Sequence, residues 1–272
     1  MAHWKLDDIP WQRFEPALVD PEILKIVKAA SVVEHNGYEY ARYLEQVFAD
    51  DPGFKEAAWA WAREEVQHGE ALARWAALAD PAFDFAAAFA LFAAKIKLPS
   101  GTGRSVRGTR AGELIARCVV EVGTSSYYTA LAAAAEEPVL HDICRHIAAD
   151  ELRHYKLFYT HLKRYLERER IGALRRVLVA LGRLFESEDD ELAFAYYAAN
   201  HASDGPYQRK RYAAAYARRA YRFFRPAHVE RAVAMTMKAV GLNPQGRLSR
   251  ALARLAAWFM AARAHHLARA GV

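Results

Sequence analysis

Six residues of the types that bind metal ions occur in a pattern that the chain repeats. In each copy a lone glutamate is followed by a Glu-x-x-His motif, and the two gaps are 31 and 30 residues long. The six residues are Glu34, Glu65 and His68 in the first copy and Glu121, Glu151 and His154 in the second. A spacing of three residues on a helix turns by about 60° and rises by about 4.5 Å. Each motif therefore presents a carboxylate and an imidazole on one helix face, where both can bind one metal ion.

The alternative is a set of solvated charges on helix surfaces, since composition alone predicts about one Glu-x-x-His match in this chain. Two features favour the metal site. Both gaps are centred on helix-breaking residues, at 50–53 and at 136–138, and Glu121 lies within the apolar stretch 115–123. A lone buried carboxylate there would cost several kcal/mol unless a metal ion or a proton neutralised it. The pattern thus predicts two helical hairpins whose ligands meet at one level.

The rest of the chain has the composition of helices, and no strand is predicted. The first long helix is expected from about Pro21 to Ala49. The connection between the two hairpins contains an apolar helix from about Phe83 to Ile96, which is typical of a crossover. We therefore expect an all-α fold: a ferritin-like four-helix bundle with a crossover connection in residues 1–168, and a basic helical extension in residues 169–272 that packs on it.

The ligand set indicates which metals the bundle would bind. Four carboxylates and two imidazoles favour a pair of first-row ions over structural zinc, which prefers cysteine and histidine in a closed tetrahedron. Helical bundles with two iron or two manganese ions use this set. On that template each ion takes the lone glutamate and the histidine of one copy, and Glu65 and Glu151 bridge the two ions. We expect two iron ions, although the spacing does not separate iron from manganese or from a mixed pair.

Two further residues are candidates for a catalytic role. Asp150 directly precedes a ligand glutamate, so its carboxylate can accept a ring N–H and orient a ligand histidine. Glu64 holds the equivalent place in the first copy, or is a surface acid beside Arg63. Thr124 lies one turn after Glu121 on the same face, so its hydroxyl can line the oxygen-binding side or bond back to its own helix.

Composition indicates a soluble globular protein, with 53% hydrophobic residues. The longest apolar run, 85–94, is about half as long as a bilayer needs, and charged residues and a proline interrupt the N-terminal segment. We expect a cytoplasmic protein. Cys118 and Cys144 are expected to be small core residues that form no disulfide.

Charge is unevenly distributed along the chain. Residues 206–272 contain 14 Lys or Arg and one Glu, a net charge of +13, which leaves −7 for residues 1–205. Aromatic residues are interleaved with these cations, so the segment could contact acidic protein, nucleic acid or an anionic membrane. The alternative is a solvated basic helix whose aromatic residues, Tyr212, Tyr216 and Phe223, pack inward.

Three stretches resemble the soluble acyl-carrier-protein desaturases of the ferritin-like superfamily, and together they fall within about residues 30–165. They are AWAREEVQHGEAL (Ala60 to Leu72), VVEVGTSSYYTALA (Val119 to Ala132) and ICRHIAADELRHYK (Ile143 to Lys156). The third is the most specific, because it includes Asp150 before the Glu-x-x-His motif. Thr124 also falls where that family has a threonine near oxygen.

The resemblance implies a di-iron centre, reduced by a donor such as ferredoxin, that uses dioxygen to remove hydrogens from a fatty acyl chain. An acyl carrier protein or a lipid-like molecule would supply the substrate, and a homodimer remains open. Bulky side chains at helical spacing from the ligands are candidates for lining that chain: Trp61, Leu72, Tyr128 and Phe158. Two other functions stay open, a ferritin-like protein that oxidises or binds iron and a di-iron hydroxylase of another substrate such as RNA or lipid.

Overall fold

The computed structural model describes residues 4–99, 101, 103–186 and 190–269, and in these residues the chain is helical and has no β-strand. Three short 3-10 helices come first: Leu6–Asp8, Trp11–Arg13 and Pro16–Leu18. The α-helices follow in this order: α1 Pro21–Glu34, α2 Gly37–Val47, α3 Pro52–Ala79, α4 Phe85–Lys95, α5 Arg110–Ala134, α6 Pro138–Glu169, α7 Ala173–Glu186, α8 Asp190–Asn200, α9 Arg209–Tyr221, α10 Pro226–Ala239 and α11 Arg247–Arg269. The predicted all-α fold is confirmed.

Two helical hairpins form the bundle. In the first, α1 and α2 together pack against α3, and in the second, α5 packs against α6. Contacts between α3 and α6 join the hairpins. The connection from α3 to α5 contains α4, which packs on α1 and α8. This arrangement is a helical bundle with a crossover connection and additional helices, as the sequence predicts.

Both hairpin turns lie at the helix-breaking residues where the sequence predicts them. Asp51 caps α3 by accepting a hydrogen bond from the backbone N–H of Phe54 at 3.1 Å. Glu137 caps α6 by accepting one from the backbone N–H of Leu140 at 2.8 Å. A proline follows each cap as the first helical residue, where its fixed φ angle suits the helix and its missing N–H costs nothing. The capping carboxylates and the prolines thus set where α3 and α6, the second helices of the two hairpins, begin.

The first bundle helix is broken, so the expectation of one helix from about Pro21 to Ala49 is wrong. α1 ends at Glu34 and α2 begins at Gly37. Asn-Gly is a turn dipeptide, and the pair Asn36–Gly37 was the signal for this break. The break comes directly after the first of the six predicted ligands.

A close approach between backbones accompanies the break. A Cβ atom at Gly69 of α3 would lie 2.6 Å from the backbone nitrogen of His35, and one at Gly37 would lie 2.7 Å from Cβ of Glu65. At contacts this short, a side chain at either position would force neighbouring backbone to shift. The two glycines therefore let the α1–α2 junction approach α3, which brings Glu34 next to the ligands of α3.

Two apolar clusters fill the bundle on either side of the ligand positions. One lies toward the α2–α3 turn and includes Leu44, Phe54 and Phe158, all fully buried. The other lies toward the opposite end and includes Ile26 and Leu72, also fully buried. The ligand positions of the bundle helices fall between the two clusters. Cys118 and Cys144 are buried free thiols, as predicted.

The helices after residue 168 pack on the bundle in the described part of the chain. α8 and α9 contact α1, α7 and α10 contact α5, and α11 contacts α9 and α10. Part of their cationic charge is paired at the start of α1, because Arg219 Nε lies 3.0 Å from Glu22 Oε2 and Arg222 Nη2 lies 2.7 Å from Asp20 Oδ2. The division of the chain at residue 168 stays a prediction.

Three aromatic residues of this segment, the ones expected to pack inward, face the protein. Tyr212 is buried, and Tyr216 and Phe223 pack against the apolar clusters. The inward-packing alternative therefore holds for these three side chains. Every helix in the described residues is too short or too polar to cross a bilayer.

Candidate metal centre

The six predicted ligands come together in the middle of the bundle, and each is at most 8% exposed. They form two groups of four, and within each group one ligand atom per residue lies within 4.8 Å of the others. The first group is Glu34, Glu65, His68 and Glu151, and the second is Glu65, Glu121, Glu151 and His154. Two carboxylates are common to both groups. The geometry is that of two adjacent cation positions with shared carboxylates between them.

The Nδ1 atom of each histidine faces these carboxylates. His68 Nδ1 lies 3.7 Å from Glu65 Oε2 and 3.4 Å from Glu151 Oε1. His154 Nδ1 lies 3.0 Å from Glu65 Oε1 and 3.5 Å from Glu121 Oε2. Both Nδ1 atoms are buried and lack a hydrogen-bond partner. Each ring therefore directs an unsatisfied nitrogen into the cluster.

Several carboxylate oxygens in the cluster are also buried without a hydrogen-bond donor. They are Glu65 Oε1, Glu151 Oε1 and both oxygens of Glu121. Buried polar atoms without partners are rare in folded proteins and cost about 1–3 kcal/mol each. Two divalent cations would satisfy these atoms, and four carboxylates would balance their charge. Because carboxylate oxygen and imidazole nitrogen are ligands of first-row metals, the residues fit such a pair.

In the metal-free protein the cluster retains protons. Burial raises the pKa of Glu34 well above its ordinary value, and neighbouring carboxylates add to the effect. Burial likewise raises the pKa of Glu121 well above its ordinary value. Burial opposes the ionisation of Glu65 too, but the adjacent imidazoles of His154 and His68 hold the pKa of Glu65 well below its ordinary range. A cation that enters the cluster must therefore displace protons.

The outward nitrogen of each histidine contacts an acid from the opposite motif. His68 Nε2 lies 3.1 Å from Asp150 Oδ2, and His154 Nε2 lies 2.7 Å from Glu64 Oε2. An Nε2–H that donates to a carboxylate leaves the Nδ1 lone pair for a metal ion. Glu64 is thus more than a surface acid beside Arg63, and both acids that precede a ligand glutamate orient a histidine.

Two residues that the sequence did not single out extend this network. Arg153 Nη2 donates to Asp150 Oδ1 at 2.6 Å and to Glu64 Oε2 at 3.0 Å, which links the two acids. Trp4 Nε1 donates to Asp150 Oδ2 at 2.7 Å, and its ring stacks on His68 with the centroids 6.0 Å apart. The position of Arg153 directly before a ligand histidine was a usable signal. No spacing pointed to Trp4, which precedes its partner by 146 residues.

Two hydroxyl groups contact the carboxylates. Thr124 Oγ1 lies 2.6 Å from Glu151 Oε2 and 3.1 Å from two carbonyl oxygens of the preceding helical turn, so the bond back to its own helix occurs and the hydroxyl also contacts a carboxylate of the cluster. A place at the oxygen-binding side stays a prediction. Tyr128 was expected only as an apolar lining residue, but its hydroxyl donates to Glu34 Oε1 at 2.5 Å. Both hydroxyls are therefore positioned to orient a carboxylate of the cluster.

The other three candidate lining residues differ in their distance from the cluster. Trp61 packs edge-on against His154, with the centroids 6.4 Å apart, and Phe158 packs against Trp61 at 5.4 Å. Leu72 belongs to the apolar cluster toward the other end of the bundle. The aromatic pair thus forms an apolar wall beside His154.

Comparison with known proteins identifies a related family. A family model described as fatty acid desaturase matches residues 17–216, which is more than half of the chain. The match contains all six ligands and extends on both sides of the 30–165 segment that carries the sequence resemblance. No curated protein matches the chain.

Proposed function

Because the chain belongs to the fatty acid desaturase family, we propose that it is a dioxygen-dependent di-iron enzyme that introduces a double bond into an acyl chain. The observation that carries the proposal is the pair of four-residue groups that share Glu65 and Glu151. Their unpaired buried atoms face one another in an apolar bundle, as the ligands of a dinuclear centre would.

We assign each ligand a role on this basis. One iron ion would be held by the lone glutamate and histidine of the first copy, Glu34 and His68, and the other by the corresponding pair of the second copy. Glu65 and Glu151 would be available to both ions, because they belong to both four-residue groups. Manganese or a mixed pair would use the same ligands, and metal analysis of the purified protein distinguishes these cases.

The proposed reaction converts two adjacent CH2 groups of the substrate into a double bond. Dioxygen accepts the two hydrogens removed from the chain together with two electrons and two protons from outside, and leaves as two water molecules. A reduced iron pair, when bound, supplies the activation of dioxygen. The two electrons come from a ferredoxin-type donor.

The chain's own residues position the ligands and manage protons. Asp150 holds the His68 ring so that Nδ1 faces the cluster, and Tyr128 fixes one oxygen of Glu34. Thr124 can hold or pass a proton at the Glu151 carboxylate, 2.6 Å away. Trp61 excludes water from the side of His154, because it is only 4% exposed and packs against that ring.

We propose an acyl chain as the substrate, carried as a thioester on an acyl carrier protein or supplied as a lipid-like molecule. The buried aromatic pair beside His154 supports an apolar substrate. The net charge of +13 in residues 206–272 supports an acidic carrier. A homodimer would be compatible with this function.

Reconstitution tests the proposal. The protein is loaded with ferrous iron, reduced by ferredoxin and its reductase, and supplied with acyl carrier protein thioesters or phospholipids of several chain lengths. We expect an acyl product that has lost two hydrogens, detected by mass spectrometry. Glu151→Ala should abolish it, whereas Glu70→Ala, at an exposed position of α3, should not. Oxygen consumption without an altered acyl product would overturn the desaturase assignment.

The same preparation separates the other candidate functions. An iron-oxidising protein of the ferritin type would turn over ferrous iron without a reductant and assemble into a cage visible by light scattering. A hydroxylase of RNA would bind RNA with a steep salt dependence. Tyr212 and Tyr216, two of the aromatic residues that motivated RNA as a substrate, pack inward, which counts against their stacking on bases.

A further inference from the structure

α11 has two sides, and only one of them packs on the protein. α11 contacts α9 and α10, and its residues Ser249, Ala253 and Leu267 are buried. A second set of large apolar side chains is between 39% and 67% exposed: Leu248, Leu252, Leu255, Trp258 and Phe259. The leucines and the phenylalanine follow one another by four, three and four residues, which places them on one helix face. Soluble proteins rarely expose so many large apolar side chains in one row without a partner.

Cations alternate with the members of this row along the sequence of α11, which contains no Asp or Glu. Arg250 and Arg254 are exposed on α11 itself. Near its C-terminal part, Arg263 lines a groove of about 230 Å³ together with Arg209 and Lys210 of α9. The surface of α11 therefore combines an apolar row with positive charge along its length.

This combination fits an anionic phospholipid surface, and we propose that α11 lies on one. Leucine, tryptophan and phenylalanine side chains on one face enter the boundary between headgroups and acyl chains, while arginines stay at the level of the phosphates. The long arginine side chains can bury their methylene groups and still reach the phosphates. The protein would thus be held at the membrane surface without crossing it.

Other occupants fit the same surface less well. A second copy of the chain would bring a segment with a net charge of +13 against an identical segment, which repels it. An acidic protein would complement the cations of α11, but a charged partner surface would leave the exposed apolar row without an apolar partner. An anionic phospholipid surface matches both features, because it offers phosphates beside acyl chains. The inference uses no residue of the metal centre, so it stands or falls separately from the desaturase reaction.

Vesicle flotation with the full chain tests the proposal. We expect the protein to bind vesicles that contain phosphatidylglycerol, to bind pure phosphatidylcholine vesicles much more weakly, and to lose binding as salt rises. The double variant Leu255→Ser/Phe259→Ser should weaken binding at least about tenfold, because two buried apolar side chains are lost. Leu78→Ser is the matched control, because Leu78 is a 43% exposed leucine on α3 that belongs to no such row. It should bind as the wild type does.

Fluorescence quenching locates the contact. Trp258 is 67% exposed, and phospholipids brominated on the acyl chain should quench it on binding. Trp258→Phe should remove most of that quenching while the protein still binds. Absence of vesicle binding at low salt would overturn the proposal, as would binding unchanged in the Leu255→Ser/Phe259→Ser variant. A dimer, or a complex with acyl carrier protein, that depends on these two residues while vesicles do not bind would also overturn it.

Discussion

Each ligand histidine is oriented by an acid from the other motif. Asp150 on α6 contacts His68 on α3, and Glu64 on α3 contacts His154 on α6. Arg153 bonds to both acids. A change in the packing of α3 against α6 would therefore disturb both histidines together, which couples the two ion positions.

Replacement of the orienting acids should weaken metal binding without unfolding the protein. Asp150→Asn retains a hydrogen-bond acceptor for His68 but loses the charge, and we expect metal affinity to fall by about 10–100-fold. Competition with a chromogenic chelator measures it. Glu64→Gln should produce the same kind of loss at the position of His154. Wild-type affinity in both variants would contradict the roles given to these acids.

The sequence could predict that the six candidate ligands converge, because short-range rules place them. Helical spacing sets each Glu-x-x-His pair on one face, and the Asp51 and Glu137 caps, each followed by a proline, set the level at which the hairpins return. The break after Glu34 and the contact from Trp4 could not be derived in this way. Both depend on tertiary contacts between distant segments, although the Asn-Gly pair was a local signal for the break.

At the level of elements, the close approach of α1 to α3 should be sensitive to a single methyl group. Gly69→Ala places Cβ 2.6 Å from the His35 nitrogen, so we expect a loss of about 1–3 kcal/mol in the free energy of unfolding and weaker metal binding through Glu34. Gly123→Ala on α5 is the control, because no atom lies within 4 Å of its new Cβ. It should be neutral or stabilise the helix by up to about 1 kcal/mol. Chemical denaturation of both variants checks this, and equal losses would contradict it.

The α2–α3 turn should contribute a pH-dependent part of the stability. Burial opposes ionisation of Asp51, but the Tyr165 hydroxyl at 2.7 Å, the Phe54 N–H and the Arg164 guanidinium hold the pKa of Asp51 below its ordinary value. A depressed pKa stabilises the fold above the unfolded pKa, and this stabilisation is lost as pH falls through the folded pKa.

We expect Asp51→Ala to lower the free energy of unfolding by about 1–3 kcal/mol at neutral pH. Asp51→Asn keeps the cap but not the charge, so its free energy of unfolding should fall by less. The difference in the free energy of unfolding between the wild type and Asp51→Asn should be constant above about pH 5 and shrink below about pH 4. Urea unfolding across this range measures it, and a difference that grows toward acid pH would have the wrong sign.

For the whole molecule, the buried carboxylates lower the free energy of unfolding of the metal-free protein, because their burial without partners is unfavourable. Both oxygens of Glu121 are buried without a donor, at a position that is 1% exposed. Glu121→Leu should therefore stabilise the metal-free protein by about 1–3 kcal/mol. The same variant should gain less thermal stability than the wild type when metal is added, because one ligand is lost. Calorimetry with and without metal separates the two effects, and a destabilised metal-free variant would contradict this assignment.

We propose that Glu65 and Glu151 are shared by two metal ions in one chain. Anaerobic titration with ferrous iron, followed by removal of free metal and elemental analysis, tests this sharing directly. We expect two iron ions per chain in the wild type, neither ion retained at wild-type affinity in Glu151→Ala, and one retained in Glu34→Ala. A wild-type protein that binds a single ion, or a Glu151→Ala variant that retains two, would contradict it.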